Sequence, residues 1–381
     1  MSTDIFTSWD IRGRNVRNRT VLAAMTNKQS YPNGELSDEE LRWLALRAEG
    51  GFGVVTTCAA NVLPNGRTWD GELGVYDERH IPGLARLAAA LRDAGALSLC
   101  QIFHGGYRSP RRLTGGQPVS ASDIALDIDS FEPARAMSRA EVRECIEAFA
   151  AAAERCERAG FDGVEIHGAH TFLITQFLSR ELNRREDEYG GSLENRYRFL
   201  GEIVRACRAR TGDAFIVGVR LSPGVPRPHA GLSPEETLEI LPWVEDDGAD
   251  FVHLSLKNAA GVAAAARTDR PHTDRAHTVA EPEATDGAVF IPKARERLSE
   301  RVRVFACGGV FLREEAEQVL ANGADAVAVA RAGIGHADWP KRLAGGRPID
   351  RPPYSAERLA DQGLSPTFIE YMRGWSGFVA A

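Results

Sequence analysis

Phe161-Asp-Gly-Val-Glu-Ile-His-Gly-Ala-His-Thr-Phe172 sets a short apolar run directly against two histidines three residues apart. Such a run has the length of a buried strand and is too short for an ordinary helix. Before it, residues 138–160 repeat apolar side chains at helical spacing. A helix, a buried strand and then a knot of polar rings make one unit of a parallel α/β sheet, and the number of such units decides the fold.

Eight units are present. Strands are predicted at Thr20–Met25, Phe52–Thr57, Ala96–Phe103, Gly163–His167, Phe215–Arg220, Asp250–Leu254, Arg303–Ala306 and Ala326–Ala330. Helices are predicted near 37–49, 80–94, 138–160, 192–210, 233–246, 288–299, 313–322 and 338–344. Ser37-Asp-Glu-Glu40, Ser138-Arg-Ala-Glu141 and Ser233-Pro-Glu-Glu236 each place a cap before acidic first-turn residues. The strands are near-continuously apolar, as expected when both faces are covered. A doubly wound sheet rarely needs eight units, so a single (β/α)8 TIM barrel over 1–381 is expected, with a tail from about 350 to 381.

In that fold the chemistry sits at the carboxyl ends of the strands. The residues there include Thr26, Ala59, Gln101, His104, His167, His170, Arg220, Gly308, Gly309 and Arg331. They are polar, small or cationic where the strands before them are not. The His167/His170 pair fits three readings: a metal clamp, a structural pair, or two imidazole donors aimed at one carbonyl or phenolate oxygen. A metal needs a third ligand, and Glu165 is expected to turn away from His167 toward the outer layer, so no metal is predicted. Ala306-Cys-Gly-Gly-Val310 and Ala330-Arg331 close consecutive strands with flexible backbone and a guanidinium, a combination suited to phosphate. No GxGxxG follows a strand, which favours a mononucleotide or sugar phosphate over a resident dinucleotide. Arg220 in a barrel mouth calls for an anionic partner, either a neighbouring carboxylate or an electron-rich ring edge. Gln101 offers that ring both a donor and an acceptor.

A net charge of −7 without any Lys/Arg run gives no footprint for nucleic acid. No uncharged stretch approaches the roughly 18 residues of a membrane helix. Met1-Ser-Thr-Asp-Ile-Phe6 has no basic or long apolar segment, so a cytoplasmic protein with a small-molecule partner is expected. The cysteines at 58, 100, 145, 156, 207 and 307 form no CxxC pair and read as reduced thiols. The long stretch from Lys257 to Thr285 is expected to shape the pocket.

The chain resembles the old yellow enzyme family of FMN-dependent oxidoreductases over essentially its full length. The densest match runs from Gly160-Phe-Asp-Gly-Val-Glu-Ile-His-Gly-Ala-His170 through Gln176-Phe-Leu-Ser179 and Asn183-Arg-Arg185 to Asp187-Glu-Tyr-Gly-Gly-Ser-Leu-Glu-Asn-Arg196. Asn18-Arg19 and Pro64-Asn-Gly-Arg67 are weaker echoes. The resemblance implies non-covalent FMN, with NAD(P)H as transient hydride donor and ping-pong reduction of α,β-unsaturated carbonyl or similar electron-poor substrates. It implies that Ala24, Met25 and Thr26 line the flavin, with Thr26 also reaching the substrate. Ala59, Gln101 and Arg220 would meet the pyrimidine part, and Gly308, Gly309, Ala330 and Arg331 the phosphate. His167 and His170 would receive the substrate oxygen, with His167 beside the cofactor as well. The larger members carry an iron–sulfur cysteine cluster that this chain lacks, so FMN alone is expected. Tyr371-Met-Arg-Gly-Trp375 resembles the tail of a bacterial subgroup in which the arginine enters a partner's active site. By that resemblance Arg373 completes a neighbour's pocket in a homodimer or higher oligomer.

Five positions depart from the family pattern. The usual run, His-x-x-His/Asn-Gly-Tyr, ends in a tyrosine credited with protonating the substrate carbon. Thr171 and Phe172 stand at its last two places. Solvent or Tyr107, which stands where the family commonly has arginine, is the expected proton source, with Phe172 left as a pocket wall. A reaction needing no carbon protonation is the remaining explanation. Ala24 replaces a common proline, and Thr26 replaces the subgroup's cysteine. The rival readings are an FMN-dependent dehydrogenase or demethylase working oxidatively, and a flavin-binding barrel without turnover.

Overall fold

The computed structural model describes residues 3–125, 131–224, 231–261 and 285–381. Residues 262–284 of the expected pocket-shaping stretch lie outside this set. Eight strands form the barrel: β1 Thr20–Leu22, β2 Val54–Asn61, β3 Leu97–Phe103, β4 Gly163–Gly168, β5 Ile216–Leu221, β6 Phe251–Ser255, β7 Arg303–Cys307 and β8 Ala326–Val329. Each pairs in parallel with the next, and β8 pairs with β1 through Val327↔Thr20 and Val329↔Leu22, closing the sheet. All eight expected strands are present. Their ends move: β1 stops at Leu22, while β2 runs on to Asn61 and carries Ala59 within it.

The crossovers are α1 Asp38–Glu49, α2 Ile81–Asp93, α3 Arg139–Arg158, α4 Leu193–Arg210, α5 Pro234–Asp246, α6 Gly287–Glu296, α7 Arg313–Ala321 and α8 Trp339–Ala344. Ser37, Ser138 and Ser233 cap α1, α3 and α5 as the sequence signals, each accepting from the backbone N–H three residues on. In α3 and α5 the matching glutamate returns the bond, which satisfies two orphan donors at once. The apolar faces of these helices and the outward strand residues form one large buried layer.

A second, smaller apolar cluster fills the barrel interior, with Phe251 stacked on Phe305 at 4.4 Å and Trp9 meeting Phe305 edge-on at 5.7 Å. Gly218 makes room for it, since a Cβ there would lie 2.1 Å from the Phe251 ring. Trp9 belongs to an antiparallel hairpin, Trp9–Ile11 with Arg14–Val16. Arg12 reaches Asp250 and Arg14 reaches Asp162, both just ahead of strands, so the hairpin floors the amino-terminal end. That leaves the carboxyl end as the open mouth.

The tail packs on its own barrel. Phe368, in the helix Pro366–Arg373, meets Trp43 edge-on at 5.3 Å, and Arg47 donates to the Gln362 carbonyl at 2.7 Å. Arg373 and Trp375 remain exposed. All six cysteines are buried and unbridged. Among the described residues, no helix is long and apolar enough to cross a membrane.

Candidate active site

The register aligns the polar ends of neighbouring strands. Ala59 pairs with Gln101, Gln101 with Glu165, and Arg220 with both His167 and His253. Glu165 corrects the sequence reading. Residues two apart on a strand share a face, so Glu165 lies on the His167 side, inside the barrel. There it accepts from Gln101 Nε2 at 2.6 Å and lies 2.7 Å from His253 Nδ1. Burial pushes the Glu165 carboxyl up, but His253, Arg220 and Gln101 outweigh it and hold the group below its ordinary range. Burial works the other way on His253, and Glu165 leaves that imidazole raised. A buried ion pair therefore fixes the orientation of Gln101.

Next to this pair lies a thiol that the sequence reading took only as reduced. Cys307 Sγ accepts from Arg220 Nη2 at 3.4 Å and lies 3.7 Å from Ser255 Oγ. Burial pushes the thiol up, while Arg220, His253 and Ser255 bring it down to about 6. Arg220 also reaches Ser255 Oγ at 3.4 Å and the Ala24 carbonyl at 3.3 Å. Its Nε is buried without a hydrogen-bond partner among the described residues. A buried guanidinium N–H left unmet is costly, so this edge is built to meet an acceptor from outside the chain.

The two histidines meet at right angles, their ring centroids 5.1 Å apart. His167 Nδ1 accepts from the Ala169 N–H at 3.3 Å, which places its proton on Nε2. Burial first, and then the nearby His170 and Arg220 charges, keep the ring neutral by lowering its pKa well below the usual value. His170 Nε2 lies 2.8 Å from Ser255 Oγ, which connects it to the Arg220–Cys307 group. His104 turns elsewhere: its ring sits between the Gly106 N–H and Asn65, held neutral by burial at about 3.

Beyond His167 the mouth is aromatic. Phe172 meets His167 and Phe103 edge-on, each at 4.9 Å, and Trp69 stacks on Phe103 at 5.5 Å. Arg108 covers Phe172, its Cζ 4.8 Å from the ring, and donates to the His170 carbonyl at 2.8 Å. Sequence reading missed Arg108, Ser255 and His253. The last two carried a signal, as polar residues inside an apolar strand. Tyr107 occupies a separate cluster with Ile124, Ala134 and Leu182, meeting Phe131 edge-on. Its phenol is hydrogen-bonded to Thr171 and raised by burial.

His170 and Thr171 have φ of 56° and 64°. This left-handed geometry is rare for a β-branched residue, and it is why glycine suits the second of these places. Gln176 Nε2 holds the Thr171 carbonyl at 2.8 Å. On the opposite side of the mouth Gly308 follows β7, where a Cβ would fall 2.4 Å from the Leu256 carbonyl oxygen. Ala330 and Arg331 follow β8, beside it in the sheet, and the Arg331 guanidinium lies 5.8 Å from the Phe311 ring. Ala24, Met25 and Thr26 are half-buried where the chain leaves β1. Arg373, exposed and 3.5 Å from Glu370, is not part of this mouth in the single chain.

Residues 4–350 match the model of the NADH:flavin oxidoreductase / NADH oxidase family. A probable NADH-dependent flavin oxidoreductase of Bacillus subtilis is 34% identical, covering 88% of this chain and 86% of its own. An NADPH dehydrogenase of Bacillus licheniformis is 32% identical over 89% of this chain and 94% of its own. Some relatives are longer: the chain spans 35% of the NADH:fumarate oxidoreductase of Klebsiella pneumoniae, at 34% identity over 89% of this chain. The fold is that of the old yellow enzyme homologue from Zymomonas mobilis, with TM-score 0.79, 24% identity, and 99% and 100% coverage. The mouth fits the cofactor of this family, since the unmet Arg220 Nε and the oriented Gln101 amide suit a carbonyl-bearing ring. The chain belongs to the NADH:flavin oxidoreductase / NADH oxidase family, the FMN-dependent, NAD(P)H-consuming barrels of old yellow enzyme type.

Proposed function

We propose that the chain reduces α,β-unsaturated carbonyl or similarly electron-poor compounds at the expense of NAD(P)H, by a ping-pong mechanism. When bound, FMN supplies the redox chemistry, storing the hydride between donor and acceptor. Ala24, Met25 and Thr26 flank its ring, while Ala59, Gln101 and Arg220 meet the pyrimidine edge. Gly308, Gly309, Ala330 and Arg331 hold the phosphate. His167 and His170 take the substrate oxygen, and Phe172, Thr26 and a partner subunit's tail arginine, the counterpart of Arg373, bound the substrate space.

The observation that carries this reading is the state of His167. A neutral imidazole with its proton assigned to Nε2 is a fixed donor. Beside the perpendicular His170 ring, it suits an oxygen that gains negative charge as hydride arrives at the conjugated carbon. Phe172 supplies no proton, and Tyr107 is held behind Thr171 in its own cluster. Solvent entering the mouth is therefore the proton source in this reading. Nicotinamide and oxidant use the same opening in turn, which gives the ping-pong order.

Anaerobic mixing of the yellow protein with NADH or NADPH, followed by an enone panel, tests the reading. Bleaching by either nicotinamide and recovery of colour with saturated product support it. A protein that bleaches but is reoxidised by no enone overturns the substrate class. One that keeps its colour with both nicotinamides overturns the reductase itself.

A further inference from the structure

Among the described residues, no carboxylate forms an ion pair with the Arg220 guanidinium proposed to face the flavin. On its Nη2 side Arg220 meets a sulfur and a hydroxyl, Cys307 Sγ and Ser255 Oγ, each at 3.4 Å. Three strands converge on this point: β5 brings Arg220, β6 brings His253 and Ser255, and β7 brings Cys307. Glu165, from β4, stands behind His253 at 2.7 Å. The Cys307 side chain is buried, so its electrostatic partners are fixed protein groups with little water to screen them.

We infer that Cys307 is a positioning residue for Arg220, a thiolate counter-ion that offsets the guanidinium charge presented to the flavin ring edge. The inference rests on the proposed placement of Arg220 against the pyrimidine part of FMN. It adds the anion behind that arginine, beside which the Glu165–His253 pair acts electrostatically. The thiol ionises more readily than an ordinary cysteine, which agrees with an anion at neutral pH. Two-electron reduction leaves added negative charge on the ring system, which the Arg220 cation favours. A thiolate 3.4 Å from the same cation works against it. Cys307 therefore holds the flavin at a lower potential than an unopposed Arg220 would set, making the reduced cofactor a stronger hydride donor.

The test compares wild type, Cys307→Ala and Cys307→Ser. The FMN midpoint potential is measured anaerobically against a reference dye, and far-UV circular dichroism verifies the fold of each. Both variants lack the anion, although serine keeps a hydrogen-bond partner for Arg220. Both are expected to shift the oxidised–reduced equilibrium about tenfold toward the reduced form, about 30 mV for a two-electron couple. An alanine variant within twofold of wild type, or a serine variant that restores the wild-type potential, overturns the inference. A second measurement needs no flavin: the absorbance of apoprotein at 240 nm against pH, wild type minus Cys307→Ala. A thiolate present at neutral pH, and lost there in Arg220→Ala, supports the ion pair. Ionisation near the ordinary thiol value of about 8.5 overturns it. If FMN fails to bind, the functional reading falls while this titration still decides the state of Cys307. If either variant misfolds, the alkylation rate of Cys307 in wild type against pH, located by mass spectrometry, replaces the difference spectrum and is read by the same two outcomes.

Discussion

Thr171 and Phe172 are where this chain departs most from its family, and the backbone ties the two together. Thr171 adopts a φ of 64°, a conformation that costs a residue other than glycine about 1–3 kcal/mol. Thr171→Gly removes that strain but also removes the hydroxyl that holds the buried Tyr107 phenol, so stability in chemical denaturation is expected to stay within about 1 kcal/mol of wild type. It also loosens the His170 loop, so kcat/KM for an enone falls in the same variant. A positioned general acid is typically worth about 10²–10⁴ in rate. Phe172→Tyr is accordingly expected to accelerate enone reduction in stopped-flow reoxidation, by up to about 10². An unchanged rate would show that a hydroxyl at this place does not reach the reacting carbon. Glu165 and His253 set a pH dependence of stability. The Glu165 pKa is depressed, so its contribution is present above about 4.3 and lost as pH falls through the folded value. The His253 pKa is raised, so its contribution is full below about 6.5 and lost as pH rises through the folded value. The pair thus supports the fold most between those limits. Glu165→Gln should lower stability there by about 3 kcal/mol, which urea melts at pH 5.5 and 9 would reveal as a loss larger at the lower pH.

At the scale of strands and helices, the sequence spoke where one physical pattern dominated. Eight apolar runs were legible because a parallel strand is covered on both faces, and the serine caps were legible because an N-cap is a local event. Ser138→Ala is expected to cost about 1 kcal/mol in denaturation, with activity unaffected. Strand ends were less legible: nothing local marks Leu22 as the last residue of β1, because pairing with β8 and β2 decides it. Glu165 was placed on the wrong side for a different reason. The period-two rule, which sets it on the face of His167, was misapplied, and only its partners His253 and Gln101, from strands far away in sequence, were illegible. Arg108 had no signal at all. Its stacking on Phe172 depends on two loops meeting, and neither loop records the other.

For the whole molecule, closure of the sheet does most of the work. The Trp9–Val16 hairpin floors one end, so ligands have the carboxyl end alone, and residues from all eight strands reach it. The tail returns to α1 through Phe368 and Trp43, with Met372 buried and Arg373, Gly374 and Trp375 exposed. If that segment serves a second copy, truncation before Tyr371 shifts the species seen by light scattering toward monomer and raises KM for the enone. Arg373→Ala then raises KM alone, without changing the mass. A truncated protein of unchanged mass and KM would limit the tail to the packing on its own barrel.

The Trp69–Phe103–Phe172 wall has an optical consequence. Indole emission overlaps flavin absorption, and Trp69 stands two rings from His167, well inside the distance over which such energy transfer is efficient. Cofactor loading should therefore dim the protein's own fluorescence, and a Trp69→Phe variant should lose the share of that dimming that Trp69 contributes beside the chain's other tryptophans. The barrel carries its own occupancy gauge, readable without a label and before any substrate is known.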